Sequence, residues 1–365
     1  MTRYQEAQRN RSLFHPNLPQ PSQVHGDTDR DKVKTCPTEF DVTRPQHSFV
    51  ICADSQLGIT SLNLEWETEL NYCRQAVEKI NSLQPRPQFV TMCGDIVDME
   101  QSFYYNSPNA LRHFETLEEC ETIQDKQNED FKKVFDKIHE DIAIVCLCGN
   151  HDIGNRPSKK SIEKFRNAFG DEYLAFWTNG SYNICLNNVL FTDPSDAMDM
   201  YEEQLKWLEE RLEYAAKHKA VQIFVFGHHP FFLYSENEDV DDLKDHGSPF
   251  PKEWGESDKI FSDAYFSIPK KYRMNAMRLF EKFKVSACFS GHFHQNLVSK
   301  ASFGMDMIVT APLSIVFESN GKPKQTEDNA MGIRLVEVVP FRDTDERNQQ
   351  RSLGCGKFTH QFIKL

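Results

Sequence analysis

The sequence predicts an α/β fold. Short, continuous apolar runs recur along the chain, and segments with the apolar spacing of a helix separate them. A run of about five apolar residues is typical of a strand buried on both faces, as strands in parallel sheets are. Several runs also stop at a glycine or a small polar residue next to metal-binding residue types. Because ligands in α/β sheets bind beyond the carboxyl ends of the strands, this pattern places a functional site there.

The first elements predict a β-α-β unit. Residues 49–53 are a continuous apolar run, and residues 89–93 are expected to form the next strand. Leu70, Cys73 and Val77 between them lie on one helical face. The right-handed crossover rule makes the two strands parallel.

The later segments repeat this alternation. Further strands are expected at residues 143–147, 221–226 and 285–289, with a strand pair within 182–190 and closing strands at 305–310 and 332–339. Apolar spacing indicates further helices within residues 131–138, 162–169, 205–215 and 274–283.

We expect one large domain at residues 46–342. Residues 1–45 are rich in Gln, Pro, Asn and charge, which predicts a flexible arm. Acidic stretches at 100–128 and 235–262 are interpreted as surface insertions that could wall a cleft. Residues 343–365 are expected to be a C-terminal tail.

Composition limits the partners and the compartment. The 365 residues carry a formal net charge of −13, which argues against nucleic-acid or anionic-membrane binding as the main activity. No apolar run approaches the ~20 residues that span a bilayer, and the first residues lack an apolar signal segment. The ten cysteines include no CxxC pair. A cytoplasmic protein with reduced thiols is therefore expected.

Five predicted strand ends carry complementary polar side chains. They are Asp54 with Gln56, Asp95, Asn150 with His151, His228, and His292 with His294. Taken singly, each is an ordinary turn, cap or surface residue. Together they combine carboxylates, an amide oxygen and imidazoles. That mixture suits two divalent transition-type ions better than an all-oxygen Ca²⁺ or Mg²⁺ site.

The order of these motifs resembles the calcineurin-like metallophosphoesterase superfamily. The motifs D-x-[H/Q], G-D, G-N-H-D, G-H and G-H-x-H follow one another, and the resemblance covers about residues 49–340. Residues 53–56, 93–95 and 149–155 are more closely similar to the calcineurin-like phosphoesterase domain-containing protein family of serine/threonine phosphoprotein phosphatases. The resemblance implies a four-layer α/β/β/α sandwich and a phosphoprotein substrate.

The resemblance also implies how two divalent ions are held, with their identity (Mn, Fe or Zn) left open. Asp95 would bridge both ions. The first ion would lie between Asp54 and His294, with Gln56 beside them. The second would be held by Asn150, His228 and His292.

The remaining roles belong to the proton donor and its neighbours. The resemblance implies direct attack by a metal-bound hydroxide on a phosphomonoester, with His151 as general acid and Asp152 orienting it. His229 is interpreted as a plain surface residue. Asp98 could contact a ligand, but it is interpreted as a surface carboxylate.

Gln56 departs from the usual superfamily pattern, in which most members carry His. An amide oxygen is a weaker ligand than imidazole for zinc-like ions, so Mn²⁺ is expected to support activity better than Zn²⁺.

Two other functions stay open. The same site could serve a phosphodiesterase or a small-molecule phosphatase. A non-catalytic scaffold is the third possibility, and the retention of the ligand residues argues against it.

Overall fold

Two β-sheets form the centre of the protein in the computed structural model. The structure describes residues 46–100, 114, 116–244, 247–250, 259–317, 329–339 and 357–365. The predicted N-terminal arm at residues 1–45 lies outside these ranges.

The first sheet is built mainly from the amino-terminal third of the chain. Its strands are β1 (His47–Cys52), β2 (Phe89–Cys93), β3 (Ala143–Leu147), β12 (Gly332–Val339) and β13 (Lys357–Lys364). They lie in the order β13-β12-β1-β2-β3. Strands β1, β2 and β3 run parallel, as the β-α-β prediction requires.

The second sheet lies in the order β10-β11-β9-β6-β5-β4. Its strands are β4 (Leu174–Thr178), β5 (Ser181–Cys185), β6 (Gln222–Phe226), β9 (Ala287–Ser290), β10 (Leu297–Lys300) and β11 (Asp306–Val309). Strands β5, β6, β9 and β11 are parallel neighbours. A separate antiparallel pair, β7 (Gly247–Pro249) and β8 (Ile260–Ser262), lies in the second expected insertion.

Among the described helices, the five longer ones contribute buried apolar side chains to the core on the outer faces of the sheets, and the other two are single turns. The helices are α1 (Glu67–Ser82), α2 (Leu117–Phe135), α3 (Asn150–Ile153), α4 (Lys159–Phe169), α5 (Met198–Lys217), α6 (Val240–Leu243) and α7 (Lys270–Phe283). Side chains alternate along β1: Val50 and Cys52 belong to the helix-lined core, whereas Phe49 and Ile51 belong to the core between the sheets.

The core between the sheets is aromatic. The Phe49 ring stacks on Phe89 at 4.7 Å and meets Phe224, Phe226 and Phe289 of the second sheet edge-on at 5.5 to 5.7 Å. Offset and edge-on contacts of this kind are the favoured geometries of buried rings. The α/β prediction is confirmed, with two sheets packed face to face between helical layers.

The C-terminal boundary differs from the expected tail. Strand β13 pairs with β12 over eight positions and forms the edge of the first sheet, and Phe358 packs against the core between the sheets. A short alternating pattern at the end of a chain is a weak signal, because its pairing partner is not adjacent in sequence.

The first expected insertion also differs, because residues 117–128 are helical. Helix α2 begins after Thr116, whose side chain accepts a hydrogen bond from the Glu119 backbone while Glu119 bonds back to Thr116. Its first turns bury Gln124 and Gln127 in place of apolar residues, which hid the helical periodicity.

Candidate active site

The carboxyl ends of five strands bring the predicted site residues to one edge of the two sheets. They follow β1 (Asp54, Gln56), β2 (Asp95), β3 (Asn150, His151, Asp152), β6 (His228) and β9 (His292, His294). All are buried except His151, whose side chain is 13% exposed. The expected convergence is present in the structure.

Three donor atoms surround Nε2 of His228. Asn150 Oδ1 lies at 3.0 Å, Asp95 Oδ2 at 3.1 Å and His292 Nδ1 at 3.1 Å. Buried lone-pair atoms this close to one another need a proton or a cation between them. We call Asn150, His228 and His292, together with Asp95, the second donor group.

A neighbouring set surrounds Asp54. Its Oδ1 atom lies 3.7 Å from His294 Nε2, and both of its oxygens accept the His292 backbone N–H at 3.0 Å. The donor atoms of Asp54, Asp95 and His228 all lie within 4.8 Å of one another, so the two sets adjoin, and Asp95 is in reach of both. We call Asp54, Gln56 and His294, together with Asp95, the first donor group.

Backbone carbonyls fix the orientation of the three histidines. Nδ1 of His228 lies 2.8 Å from the Cys93 carbonyl, and Nδ1 of His294 lies 2.6 Å from the Ile315 carbonyl. His292 is reversed, with Nε2 3.4 Å from a carbonyl and Nδ1 in the donor group. A ring N–H bonded to a carbonyl leaves the opposite nitrogen as a lone-pair donor, which is the usual arrangement of metal-binding histidines.

Five of the candidate ligands have left-handed backbone conformations. Their φ angles are 50° for Asp54, 36° for Gln56, 48° for Asp95, 66° for His292 and 54° for His294. This region costs a residue with a Cβ roughly 1–2 kcal/mol, and such conformations cluster at functional sites. The fold therefore holds these residues in their site conformations at a cost in stability.

Two glycines make room for the carboxylates. A Cβ on Gly149 would lie 2.1 Å from Asp95 Oδ1, and one on Gly291 would lie 2.3 Å from Asp54 Oδ2. The glycines of the G-N-H-D and G-H-x-H motifs are thus needed for close approach.

Burial and neighbouring charges set the protonation of the donors. Burial raises the pKa of Asp54 to about 8. The charge of His228 opposes this shift, and the Asp95 carboxylate adds a smaller increase. Burial lowers the pKa of His294 to about 4 and holds that of His292 well below its usual value. Burial lowers the pKa of His228 as well, but the Asp95 carboxylate outweighs burial and raises it to about 9, so a cation bound at His228 would displace a proton.

A chain of amides fixes the orientation of Gln56. The Met99 backbone N–H donates to Gln127 Oε1 at 3.2 Å, and Gln127 Nε2 donates to Asn63 Oδ1 at 2.7 Å. Asn63 Nδ2 and Gln56 Nε2 then donate to Asp98 at 2.7 and 2.9 Å. Because the chain starts at a donor and ends at a carboxylate, no amide in it can be reversed. Gln56 Oε1 is consequently left buried without a hydrogen-bond partner.

These observations show that the residues present fit two divalent ions. Gln56 Oε1 is unpaired, and the donor atoms of Asp95, Asn150 and His292 meet at His228 Nε2, where a divalent cation would take the place of a proton. Mixed nitrogen and oxygen donors of this kind suit Mn, Fe or Zn.

Asp98 occupies the position expected for Asp152. His151 Nδ1 lies 3.1 Å from both the Asp98 carboxylate and the Asp98 carbonyl. Asp98 is fully buried and is no surface carboxylate. The Asp152 carboxylate instead accepts backbone N–H groups from Gly149 at 2.7 Å and Ile96 at 3.0 Å. Asp152 therefore ties two site loops together and does not orient His151.

The charges around His151 favour its protonated form. Burial lowers its pKa, but the Asp95 and Asp98 carboxylates outweigh burial and raise the pKa to about 10. The His151 backbone N–H also donates to Asp95 Oδ1 at 2.8 Å. A proton donor is thus held beside the carboxylate that the two donor groups share.

Sequence reasoning missed two residues near His228. Asn188 Oδ1 accepts the backbone N–H groups of His228 and His229 at 2.8 and 3.0 Å, and so it fixes that loop. His229 is buried, and its ring lies 3.9 Å from the His292 ring. The adjacent Asn187 and Asn188 between two apolar runs were the available signal for this role.

Comparison with known proteins places the chain among phosphoesterases. Residues 47–296 match the calcineurin-like phosphoesterase family. Serine/threonine-protein phosphatase CPPED1 of Danio rerio is 29% identical over 80% of this chain and 81% of its own. The Bos taurus protein of that name is 30% identical over 77% of this chain and 73% of its own.

A solved structure shares the fold. The purple acid phosphatase PPD1 of yellow lupin superposes with a TM-score of 0.51 at 13% identity, covering 84% of this chain and 51% of that one. At this identity the likeness shows the fold alone.

The helices in the described part of the chain include none that is long and apolar enough to cross a membrane. The matched region holds all of the candidate ligands, from Asp54 to His294. The chain therefore belongs to the calcineurin-like phosphoesterase family and is a metal-dependent phosphoester hydrolase.

Proposed function

We propose that this chain removes phosphate from phosphoserine and phosphothreonine in proteins. The relatives named serine/threonine-protein phosphatase support the substrate, since they match about four-fifths of the chain. The observation that carries the reaction type is the pair of donor groups that share Asp95, with His151 beside them.

Each donor group would hold one divalent ion, the first donor group one and the second donor group the other. The ions would neutralise charge on the phosphoryl oxygens and lower the pKa of an attacking water.

The protein itself would control the proton that the leaving group needs. Asp98 holds Nδ1 of His151, so Nε2 would deliver a proton to the departing serine or threonine oxygen. The phosphorus–oxygen ester bond breaks as the water oxygen bonds to phosphorus. The products are inorganic phosphate and the free hydroxyl.

A substrate panel tests the reaction class. With Mn²⁺ present, we expect phosphoserine and phosphothreonine peptides and para-nitrophenyl phosphate to be hydrolysed at least about tenfold faster than bis-para-nitrophenyl phosphate. Faster hydrolysis of the diester than of the monoesters would indicate a phosphodiesterase. Turnover of small monoesters with none of the peptides would indicate a small-molecule phosphatase.

The orientation of Gln56 predicts the metal preference. Because Gln56 Oε1 is buried and unpaired and would be the oxygen offered to the first ion, stripped protein should regain at least about threefold more turnover with Mn²⁺ than with Zn²⁺. Gln56→His should lower the ratio of Mn²⁺ turnover to Zn²⁺ turnover, or bring it below one. Turnover with Zn²⁺ that equals or exceeds turnover with Mn²⁺ in the wild type would contradict the assignment.

A further inference from the structure

Tyr265 lies over the second donor group and belongs to none of the five sequence motifs. It belongs to a short 3-10 turn, Asp263–Tyr265, that directly follows β8. Its ring centre lies 5.2 Å from that of His292, and the residue is 36% exposed. This side chain therefore reaches from the turn that follows the second expected insertion to the edge of the site.

The phenol hydroxyl contacts the amide of one ligand. Asn150 Nδ2 donates to Tyr265 Oη at 3.3 Å, and Tyr265 Oη lies 3.4 Å from Asn155 Oδ1. A hydroxyl has one proton and can donate it to Asn155 while it accepts from Asn150. The amide nitrogen of Asn150 is thus held away from the site, and its oxygen is held 3.0 Å from His228 Nε2.

The main chain of the same residue contacts a second ligand. His292 Nε2 lies 3.4 Å from the Tyr265 carbonyl, which leaves Nδ1 in the donor group. One residue thus fixes the donor atom of an amide ligand and of an imidazole ligand. Partners of this kind raise metal affinity because they orient the ligands before the ion binds.

The turn that carries Tyr265 is itself anchored. Tyr234 Oη donates to Asp263 Oδ2 at 2.8 Å, and Asp263 is fully buried. Ser262 Oγ accepts the Ala264 backbone N–H at 3.3 Å, and the Phe261 ring stacks on Tyr265 at 5.6 Å. These contacts therefore fix the position of the turn from which the Tyr265 phenol extends.

We propose that Tyr265 is a positioning residue for the metal ion of the second donor group, and that the segment around it serves this site. This rests on the proposed function for the presence of the ions, but not on the identity of the substrate.

The test is Mn²⁺ binding to the stripped full-length chain, measured by isothermal titration for wild type and Tyr265→Phe. Phenylalanine keeps the ring and the backbone carbonyl and removes only the hydroxyl. The dissociation constant of one of the two ions should rise about tenfold while the other stays within about twofold. Because binding is measured without substrate, failure of the protein phosphatase proposal would not alter this outcome.

Tyr201→Phe is the matched control. Tyr201 Oη accepts an amide N–H from Asn275 at 2.9 Å, between helices α5 and α7 and away from the donor groups. It should leave both Mn²⁺ dissociation constants unchanged. Unchanged constants in Tyr265→Phe would overturn the proposal. So would a rise in KM for para-nitrophenyl phosphate at unchanged Mn²⁺ affinity, because the phenol would then act on the substrate.

Discussion

Replacing Asp95 by Asn is expected to reduce Mn²⁺-dependent hydrolysis of para-nitrophenyl phosphate by at least about a thousandfold, or about 4 kcal/mol in the barrier. Asp95 is in reach of both donor groups, with Oδ2 3.1 Å from His228 Nε2. An amide removes the negative charge that both ions would share and places a donor N–H where a lone pair is needed. Initial rates at saturating Mn²⁺ measure the effect.

Asp141→Asn is the control for this substitution. The Asp141 side chain is 64% exposed and pairs with Arg86 on the surface, so its loss should leave the rate within about twofold. A fall of less than tenfold in Asp95→Asn, in protein that keeps its circular dichroism spectrum, would remove Asp95 from the shared position.

Replacing Asp98 by Asn is expected to have the second largest effect, and to depend on the leaving group. Asp98 accepts from Gln56 and holds Nδ1 of His151. Loss of its charge should slow phenyl phosphate hydrolysis about 10- to 100-fold at saturating Mn²⁺. Hydrolysis of para-nitrophenyl phosphate should fall by less than about threefold, because nitrophenolate leaves without a proton. His151→Gln should show the same ratio.

The Asp152→Asn variant tests whether Asp152 or Asp98 orients His151. The Asp152 carboxylate accepts backbone N–H groups on either side of the site, so the amide should lower the free energy of unfolding by roughly 1–3 kcal/mol. The ratio of phenyl to nitrophenyl turnover should stay as in the wild type. An altered ratio in Asp152→Asn, with a normal one in Asp98→Asn, would restore the role that the sequence suggested for Asp152.

Much of the fold could be predicted because its strongest signals are local. The runs at β1, β2 and β3 are buried on both faces and end in glycine or polar residues, which is readable without a partner strand. Strand β13 was missed because its stability comes from pairing with β12 across a long separation in sequence. The start of α2 was missed because Gln124 and Gln127 are buried polar residues in the helix.

The turn of the hairpin between β4 and β5 carries a sequence signal for a hairpin that did not enter the prediction. Asn179 and Gly180 form its turn, both with positive φ, and Asn-Gly is the strongest short-range hairpin signal. The sequence predicted a hairpin or strand pair at residues 182–190 instead, where the structure has most of β5 and the 3-10 turn Asn188–Phe191.

The candidate ligands could be predicted because each follows a strand directly. Asp98 could not be distinguished from a surface carboxylate, since its burial depends on Asn63 and on the distant Gln127. Tyr265 lies in a segment without periodicity, and its contact with Asn150 spans 115 positions. Residues that support a ligand are fixed by tertiary contacts, and a single sequence does not display those contacts.

Anomalous diffraction from crystals grown with Mn²⁺ tests the central claim most directly. Two peaks ~3.5–4 Å apart are expected, one on either side of the Asp95 carboxylate. One should contact Asp54 and His294, and the other should contact Asn150 and His228. A single peak, or a pair that does not share Asp95, would contradict this claim.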